Sequence, residues 1–297
     1  MNLHTKPSAR ATAPAIIEHA GPLLAAYDVL LCDVWGVVHD GVRAYAAAGA
    51  AFARFRAEGG TVVLLSNSPM PARWVKRVID EKGVRRDSWD AIVSSGDITL
   101  AHVASLGWTR VHHIGPPRDL PLFETMAVAR VALEEAEAIV CTGLVDDRRE
   151  TAESYSPLLE RALALSLPLV CANPDLIVDV GGELLPCAGV IAEAYEAIGG
   201  DVYWAGKPYA PAYELAMNTA AGLRGAMPDR RRVLAIGDAV RTDMAGAAAF
   251  GVASLFIGQG IHRDEVVRDG RIDAEGVARV LDGQPVLPLA AMVGVAW

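Results

Sequence analysis

Asp28-Val-Leu-Leu-Cys-Asp33 is the stretch that decides the fold, because an unbroken apolar run ends there in a carboxylate. A short apolar run of this kind is typical of a strand that is buried on both faces of a parallel sheet. Residues 61–65 and 232–236 repeat the pattern, and each run leads through a polar turn into a segment with helical character. Repeated strand–loop–helix units predict an α/β fold with a doubly wound, Rossmann-like parallel sheet.

A second set of strand-like runs interrupts this alternation and predicts a smaller α/β domain inserted into the first. Its apolar runs at 138–141, 168–171 and 182–185 predict strands, and residues 157–165 predict a helix. We divide the chain into an N-terminal arm and helix (1–25), a core (26–107 plus 202–285), the inserted domain (108–201) and an apolar C-terminal tail (286–297). The tail could pack on the core or on a second subunit, which leaves a homodimer open.

The composition limits the class of protein and its partners. The 297 residues are 52% hydrophobic, which excludes a disordered chain, and the formal net charge is −9. This charge and the lack of a Lys/Arg-rich block disfavour nucleic acid and membranes as partners. No apolar run approaches the roughly 20 residues of a spanning helix, and residues 1–14 lack the apolar segment of a secretory signal. The four cysteines lie far apart, so we expect reduced thiols in a cytoplasmic protein.

Polar side chains with complementary chemistry stand where the strands of the core end. They are Asp33, Ser66, Lys207, Asp238 and Asp243. Ligands of open parallel sheets bind outside the carboxyl ends of the strands, so these groups should converge on one crevice. Carboxylates gather a hard cation such as Mg²⁺, while a hydroxyl, backbone N–H groups and an ammonium hold a phosphate. This combination suits phosphoryl transfer, in which positive charge offsets the charge of the transferring group.

Each of these residues also has an ordinary structural explanation. An Asp that follows a strand is equally often a turn or capping residue, and Ser66-Asn67-Ser68 alone would be a helix cap. Lys207 alone would be a surface lysine, and Gly237-Asp238 an ordinary turn. These residues favour a catalytic or binding site because all of them stand together at successive strand ends. No glycine-rich nucleotide-binding motif follows a strand to compete with this interpretation.

Four segments together resemble the four motifs of the haloacid-dehalogenase superfamily. They are Asp33-Val-Trp-Gly-Val-Val-His-Asp-Gly41, Leu65-Ser-Asn-Ser-Pro69, Gly206-Lys-Pro208 and Gly237-Asp-Ala-Val-Arg-Thr-Asp243. The insertion between the second and third motifs is similar to that of the type-IIA, C2-capped subgroup of phosphatases. Within it, Ala172-Asn-Pro-Asp175 resembles the cap segment that reaches the substrate in that subgroup.

The resemblance implies an Mg²⁺-dependent phosphatase of a small phosphorylated metabolite. It implies that Asp33 is the nucleophile that forms an aspartyl-phosphate, and that Lys207 pairs with both Asp33 and the phosphate. Ser66 and the backbone of Asn67 would hold the phosphoryl oxygens.

The same resemblance implies the metal ligands and the cap contacts. Asp33, the backbone carbonyl of Trp35, and Asp238 would bind Mg²⁺, with Asp243 supporting the site directly or through a water. Asn173 and Asp175 would contact the substrate.

Trp35 departs from the family pattern, because phosphatases of this family carry a second Asp there as general acid and base. An indole N–H does not titrate usefully, and loss of acid–base help costs typically about 10²–10⁴ in rate. The alternative function is therefore a non-catalytic or regulatory phospho-ligand binder. His39 and Asp40 lie nearby in sequence and could substitute for the missing Asp, but we expect them instead in the loop that leads away from the site. Dehalogenation is disfavoured because that chemistry needs no metal, which would leave Asp238 and Asp243 unexplained.

Overall fold

The computed structural model describes residues 13–180 and 182–297. Within them the strands are β1 (Ala15–Ile16), β2 (Val29–Asp33), β3 (Thr61–Ser66), β4 (Ala91–Ser94), β5 (Arg110–Ile114), β6 (Ala129–Arg130), β7 (Ala138–Cys141), β8 (Leu169–Cys171), β9 (Ile177–Val180), β10 (Glu183–Pro186), β11 (Val202–Trp204), β12 (Val233–Gly237), β13 (Ala253–Ile257), β14 (Val267–Arg268), β15 (Arg271–Ile272) and β16 (Ala290–Met292). The α-helices are α1 (Gly21–Leu24), α2 (Ala46–Ala57), α3 (Ala72–Glu81), α4 (Ser95–Ser105), α5 (Ser156–Ala164), α6 (Ala188–Ala197), α7 (Ala210–Arg224), α8 (Ala245–Phe250), α9 (Arg263–Val266) and α10 (Ala274–Val280).

The larger sheet has the strand order β1-β16-β13-β12-β2-β3-β4 in the described part of the chain, and its pairings are parallel. Strand β2 lies inside it and is buried on both faces, as its apolar sequence predicts. Leu30 and Cys32 pack into one hydrophobic cluster, whereas Val29 and Leu31 pack into another. The prediction of a doubly wound parallel sheet is therefore confirmed.

The inserted domain is built on a second parallel sheet, with the order β11-β8-β7-β5-β6. It has its own hydrophobic cluster, in which Ile139, Leu159 and Tyr195 are buried. The prediction of an α/β fold with a smaller inserted α/β domain is thus confirmed.

Two details of the insertion differ from the sequence analysis. We assigned strand β11 to the core, but it pairs with β8 of the inserted sheet, and this pairing extends to Trp204. The boundary at residue 202 is therefore wrong, and the chain returns to the core after that strand. The strand predicted at 182–185 lies in the hairpin β9–β10, outside the inserted sheet.

The apolar tail packs on its own chain. Strand β16 lies between β1 and β13, and Ala290–Met292 is buried throughout. Trp297 lies against α1, where a Cβ added to Gly21 would come within 2.9 Å of the indole nitrogen. The N-terminal segment contributes both β1 and α1, and the predicted arm over residues 1–12 lies outside the described residues.

The carboxyl ends of both sheets face a common cavity of about 890 Å³. Its lining includes Asp33, Ser66 and Asp238 from the core, and Thr142 and Asn173 from the inserted domain. Such a volume suits a metabolite-sized ligand. The four cysteines are buried free thiols, and no described helix is both long and apolar enough to span a membrane.

Candidate active site

A buried ion-pair cluster lies at the bottom of the cavity. The Lys207 ammonium donates to Asp33 Oδ1 at 2.5 Å and to Asp243 Oδ1 at 2.7 Å. The side chains are 4%, 11% and 5% exposed for Lys207, Asp33 and Asp243, respectively. Charges this deeply buried persist only when they are paired and hydrogen-bonded, so the cluster must form as a unit.

Each member comes from a different part of the chain. Asp33 is the last residue of β2, and Lys207 lies in the segment that returns from β11 to the core. Asp243 lies in the helical turn Val240–Met244 that follows β12, where its second oxygen accepts the N–H of Ala239 at 3.1 Å. Both oxygens of the Asp243 carboxylate are therefore engaged by the protein.

Asp238 completes a cluster of three carboxylates with Asp33 and Asp243, whose oxygens lie within 4.8 Å of one another. Its Oδ2 accepts the N–H of Ile261 at 2.7 Å. Gly36 adopts a φ of +81°, and a Cβ there would lie 2.3 Å from the same oxygen. Only glycine lets the loop after β2 come this close to the carboxylate.

The charge of this cluster fits a hard divalent cation. Burial raises the pKa of Asp33, and burial together with Asp243 raises the pKa of Asp238 to about 7. Burial opposes the charge on Lys207, but the Asp243 and Asp33 carboxylates raise the pKa of its ammonium above the ordinary value. One ammonium does not balance three carboxylates, and clustered carboxylate oxygens are the ligands that Mg²⁺ takes. The residues present therefore fit a metal at this place.

Asn67 clamps the backbone of Lys207. Its Oδ1 accepts the Lys207 N–H at 2.8 Å, and its Nδ2 donates to the Lys207 carbonyl at 3.1 Å. The side chain is thus occupied, and the role predicted for the Asn67 backbone stays a prediction. Neighbouring Ser66 accepts the N–H of Ser68 at 3.1 Å, which leaves its hydroxyl proton free to be donated to a ligand.

The predicted cap contacts lie at the mouth of this cluster. Asp175 Oδ1 accepts a second hydrogen bond from Asn67 Nδ2 at 2.9 Å, which joins the loop after β8 to the core. Asn173 caps the same loop, because its Oδ1 accepts the Asp175 N–H at 3.2 Å. Both residues line the cavity, and their contact with a substrate stays a prediction.

Trp35 lines the cavity beside Asp33 and contributes no titratable group there. Its ring meets the His39 ring edge-on at 5.0 Å. His39 Nδ1 accepts the N–H of Gly41, and Asp40 Oδ1 accepts the N–H groups of the second and third residues after it. These hydrogen bonds stabilise the loop that follows β2. Asp40 nevertheless lines the cavity, and the expectation that this loop leads away from the site stays a prediction.

The sequence analysis missed several polar residues of the inserted domain that line the same cavity. Among them are Arg118, Asp119, Thr142 and Asp147. Thr142 follows β7 directly, and Asp119 lies in the helical turn Pro117–Thr125 that follows β5. The rule that ligand-binding residues follow parallel strands would have found them, had it been applied to the inserted sheet as well.

Two family models match separate parts of the chain. Residues 30–128 match haloacid dehalogenase-like hydrolases, and residues 204–283 match the HAD-hydrolase-like family. None of the curated proteins matches the chain.

Solved structures match the chain over most of its length. A hydrolase of the haloacid dehalogenase-like family from Brucella suis 1330 is 40% identical over 93% of this chain and 98% of its own, with a TM-score of 0.81. The chain therefore belongs to the haloacid dehalogenase-like hydrolases, and its inserted domain places it in the C2-capped type.

More distant structures share this fold. A glycerol phosphate phosphatase from Mycobacterium tuberculosis, in complex with calcium, is 25% identical, with a TM-score of 0.59 over 86% of this chain and 75% of its own. The 4-nitrophenylphosphatase of Thermotoga maritima is 21% identical, with a TM-score of 0.66 over 91% of this chain and 95% of its own.

Replacing Asn67 by Ala tests the clamp on Lys207. The substitution leaves a buried backbone N–H and carbonyl without partners, so we expect the free energy of unfolding to fall by about 1–3 kcal/mol. Urea denaturation measures this change. Ser68→Ala is the control, because the Ser68 hydroxyl accepts only a long hydrogen bond from Met70 N, at 3.3 Å. Equal stability of Asn67→Ala and the control would contradict the clamp.

Proposed function

We propose that the protein is an Mg²⁺-dependent phosphatase of small phosphorylated metabolites that works through an aspartyl-phosphate on Asp33. The observation that carries this proposal is the buried Asp33–Lys207–Asp243 cluster, with Asp238 beside it, at the bottom of a metabolite-sized cavity. The likeness to a glycerol phosphate phosphatase supports the same class of substrate.

Asp33 provides the nucleophile in this proposal. Its carboxylate oxygen forms a bond to phosphorus, and the bond from phosphorus to the ester oxygen breaks, which releases the leaving group as an anion that then takes a proton from water. Water then attacks phosphorus, which frees inorganic phosphate and restores the carboxylate. Lys207 donates a hydrogen bond to Asp33, which offsets the charge of the carboxylate, and offers positive charge to the phosphoryl oxygens. Ser66 donates its free hydroxyl proton to the same group.

Asp33, Asp238 and the Trp35 carbonyl would hold Mg²⁺ in this proposal. Asp243 would support them, because Lys207 and the Ala239 N–H already occupy its oxygens. When bound, Mg²⁺ supplies positive charge that offsets the charge on the transferring phosphoryl group.

Trp35 favours a second candidate function, a phospho-ligand binder that turns over slowly or not at all. The general acid and base of the family is missing there, and backbone N–H groups of the loop donate to His39 Nδ1 and to Asp40 Oδ1. General acid–base catalysis typically raises the rate by a factor of about 10²–10⁴, which is less than the total rate acceleration of enzymatic phosphoester hydrolysis. We therefore favour the phosphatase.

Hydrolysis of a panel of phosphate monoesters, with Mg²⁺ and with a chelator, tests the proposed function. We expect release of inorganic phosphate from activated esters only with Mg²⁺. The Asp33→Asn variant should release none, because an amide cannot attack phosphorus, while retaining its fold by circular dichroism. Absence of hydrolysis of every ester by the natural protein, with Mg²⁺ present, would overturn the phosphatase and favour the binder.

Replacing Asp238 by Asn tests the metal site independently of turnover. The change removes a charge from a direct metal ligand. Loss of a residue that only hydrogen-bonds to a ligand lowers metal affinity roughly 10–100-fold, so Mg²⁺ affinity should fall by at least that much. Isothermal titration calorimetry with Mg²⁺ alone measures it. Asp264→Asn is the matched control, an exposed aspartate that lines the cavity outside the carboxylate cluster. Unchanged affinity in Asp238→Asn would refute the assignment.

Dependence of the rate on the leaving group tests the consequence of Trp35. Without a proton donor, alkyl alcohols must leave as anions, so kcat/KM should fall steeply as the pKa of the leaving group rises. Trp35→Asp should flatten this slope and raise kcat/KM for alkyl phosphates by up to about 10²–10⁴. Trp35→Phe, which removes the indole without adding an acid, should keep the steep slope. A shallow slope in the natural protein would mean that another group supplies the proton.

A further inference from the structure

Asp119 is a buried carboxylate of the inserted domain that the proposed mechanism does not use. Asp119 is 6% exposed and lines the same cavity as Asp33. The Thr142 hydroxyl lines the cavity with it and lowers the pKa of this carboxyl. A carboxylate offers about four acceptor positions, so one hydroxyl leaves most of them to a ligand.

Thr142 is itself held in place by its neighbours. His113 Nε2 lies 2.9 Å from Thr142 Oγ1, and burial lowers the pKa of the imidazole to about 4, so the ring is neutral. A neutral ring can donate from Nε2 to the hydroxyl, which turns the hydroxyl proton toward Asp119. Gly115 permits this packing, because a Cβ there would lie 2.0 Å from Thr142 Oγ1.

The charge of Asp119 is offset only in part by the neighbouring Arg118. Burial raises its pKa to about 6, which still leaves the carboxylate largely ionised at neutral pH. Arg118 is the adjacent guanidinium, but it forms an ion pair with Asp147 at 2.5 Å. Burial of a carboxylate costs free energy unless hydrogen-bond donors satisfy its oxygens. A ligand in the cavity can supply such a donor.

The sheet topology places Asp119 at the end of the cavity away from the phosphoryl group. Strands β8, β7 and β5 are neighbours, and the loop after β8 is the one that touches Asn67 of the core. Two strand spacings, about 10 Å, therefore separate the loop of Asp119 from that contact. A group that meets Asp119 would belong to the leaving alcohol of the substrate.

The cavity as a whole is acidic. Among the described residues, nine aspartates but only four basic side chains line it. A bound Mg²⁺ and one phosphoryl group change this balance little, so a second anionic group on the substrate would meet net repulsion.

We propose that Asp119, held by Thr142, selects the substrate by accepting hydrogen bonds from hydroxyl or ammonium groups of the leaving alcohol. The substrates are then phosphate monoesters of polyhydroxylated or amino alcohols that carry no second anionic group. This inference rests on the proposed function, which it makes more specific.

Binding of four non-hydrolysable phosphonates to the Mg²⁺-supplemented protein tests the selection without requiring turnover. They are butylphosphonate, 3,4-dihydroxybutylphosphonate, 4-aminobutylphosphonate and 3-carboxypropylphosphonate. We expect the dihydroxy and amino compounds to bind at least about tenfold more tightly than butylphosphonate, since hydrogen bonds to a buried charge are the strong ones. The carboxylate compound should bind least tightly. Calorimetry gives each Kd.

Three variants identify the residue responsible. Asp119→Ala should bring the Kd values of the dihydroxy, amino and butyl compounds together, and Thr142→Val should move them in the same direction. Asp119→Asn keeps an acceptor but loses the charge. In this variant the preference for the amino compound over butylphosphonate should fall more than the preference for the dihydroxy compound. Asp201→Asn is the matched control, an exposed aspartate of the insertion that does not line the cavity.

The outcomes separate this inference from the proposed function. Equal Kd values for all four compounds in the natural protein, or an unchanged preference in Asp119→Ala, would overturn the role of Asp119. Hydrolysis of p-nitrophenyl phosphate, measured in parallel, reports on the phosphatase alone. Its absence in the natural protein would count against the phosphatase, whereas the Kd values alone decide the role of Asp119.

Discussion

The ammonium group of Lys207, buried between Asp33 and Asp243, is the interaction on which the rest of the site depends. Two carboxylates this close together and this deeply buried would otherwise repel each other. The lysine donates a hydrogen bond to each of them and offsets their charge. Asn67 then fixes the backbone that carries the ammonium, so a neutral amide controls the position of the charge.

This arrangement also couples the two sheets. Lys207 follows the last strand of the inserted sheet, and Asn67 follows a central strand of the core. Because Asn67 also donates to Asp175, one amide side chain holds the lysine and the loop that closes over it. The distance between the core carboxylates and the polar residues of the insertion is therefore set at the site itself. A shift of the loop after β8 would displace Asn67 and, through it, the backbone of Lys207.

The sequence predicts the core of the molecule well because buried parallel strands leave a simple pattern. Apolar runs that end in Asp33 or Ser66 indicate both the strand and the edge of the sheet where chemistry occurs. The insertion is harder, because β6 has two residues and β11 three, too few to show a period. The clamp made by Asn67 and the contact of Thr142 with His113 join residues far apart in the chain, and no local pattern encodes such contacts.

The pairing of β2 with β12 has a consequence for how the protein is made. Val29 pairs with Val233, so the strand that carries Asp33 acquires one of its two neighbours only after about 200 further residues have been translated. At roughly 5–20 residues per second, the ribosome needs about 10–40 s for that segment. During this interval one edge of an apolar strand has no partner, which is the state in which strands pair wrongly. The strand that carries Asp33 is thus also a site of possible mispairing during synthesis.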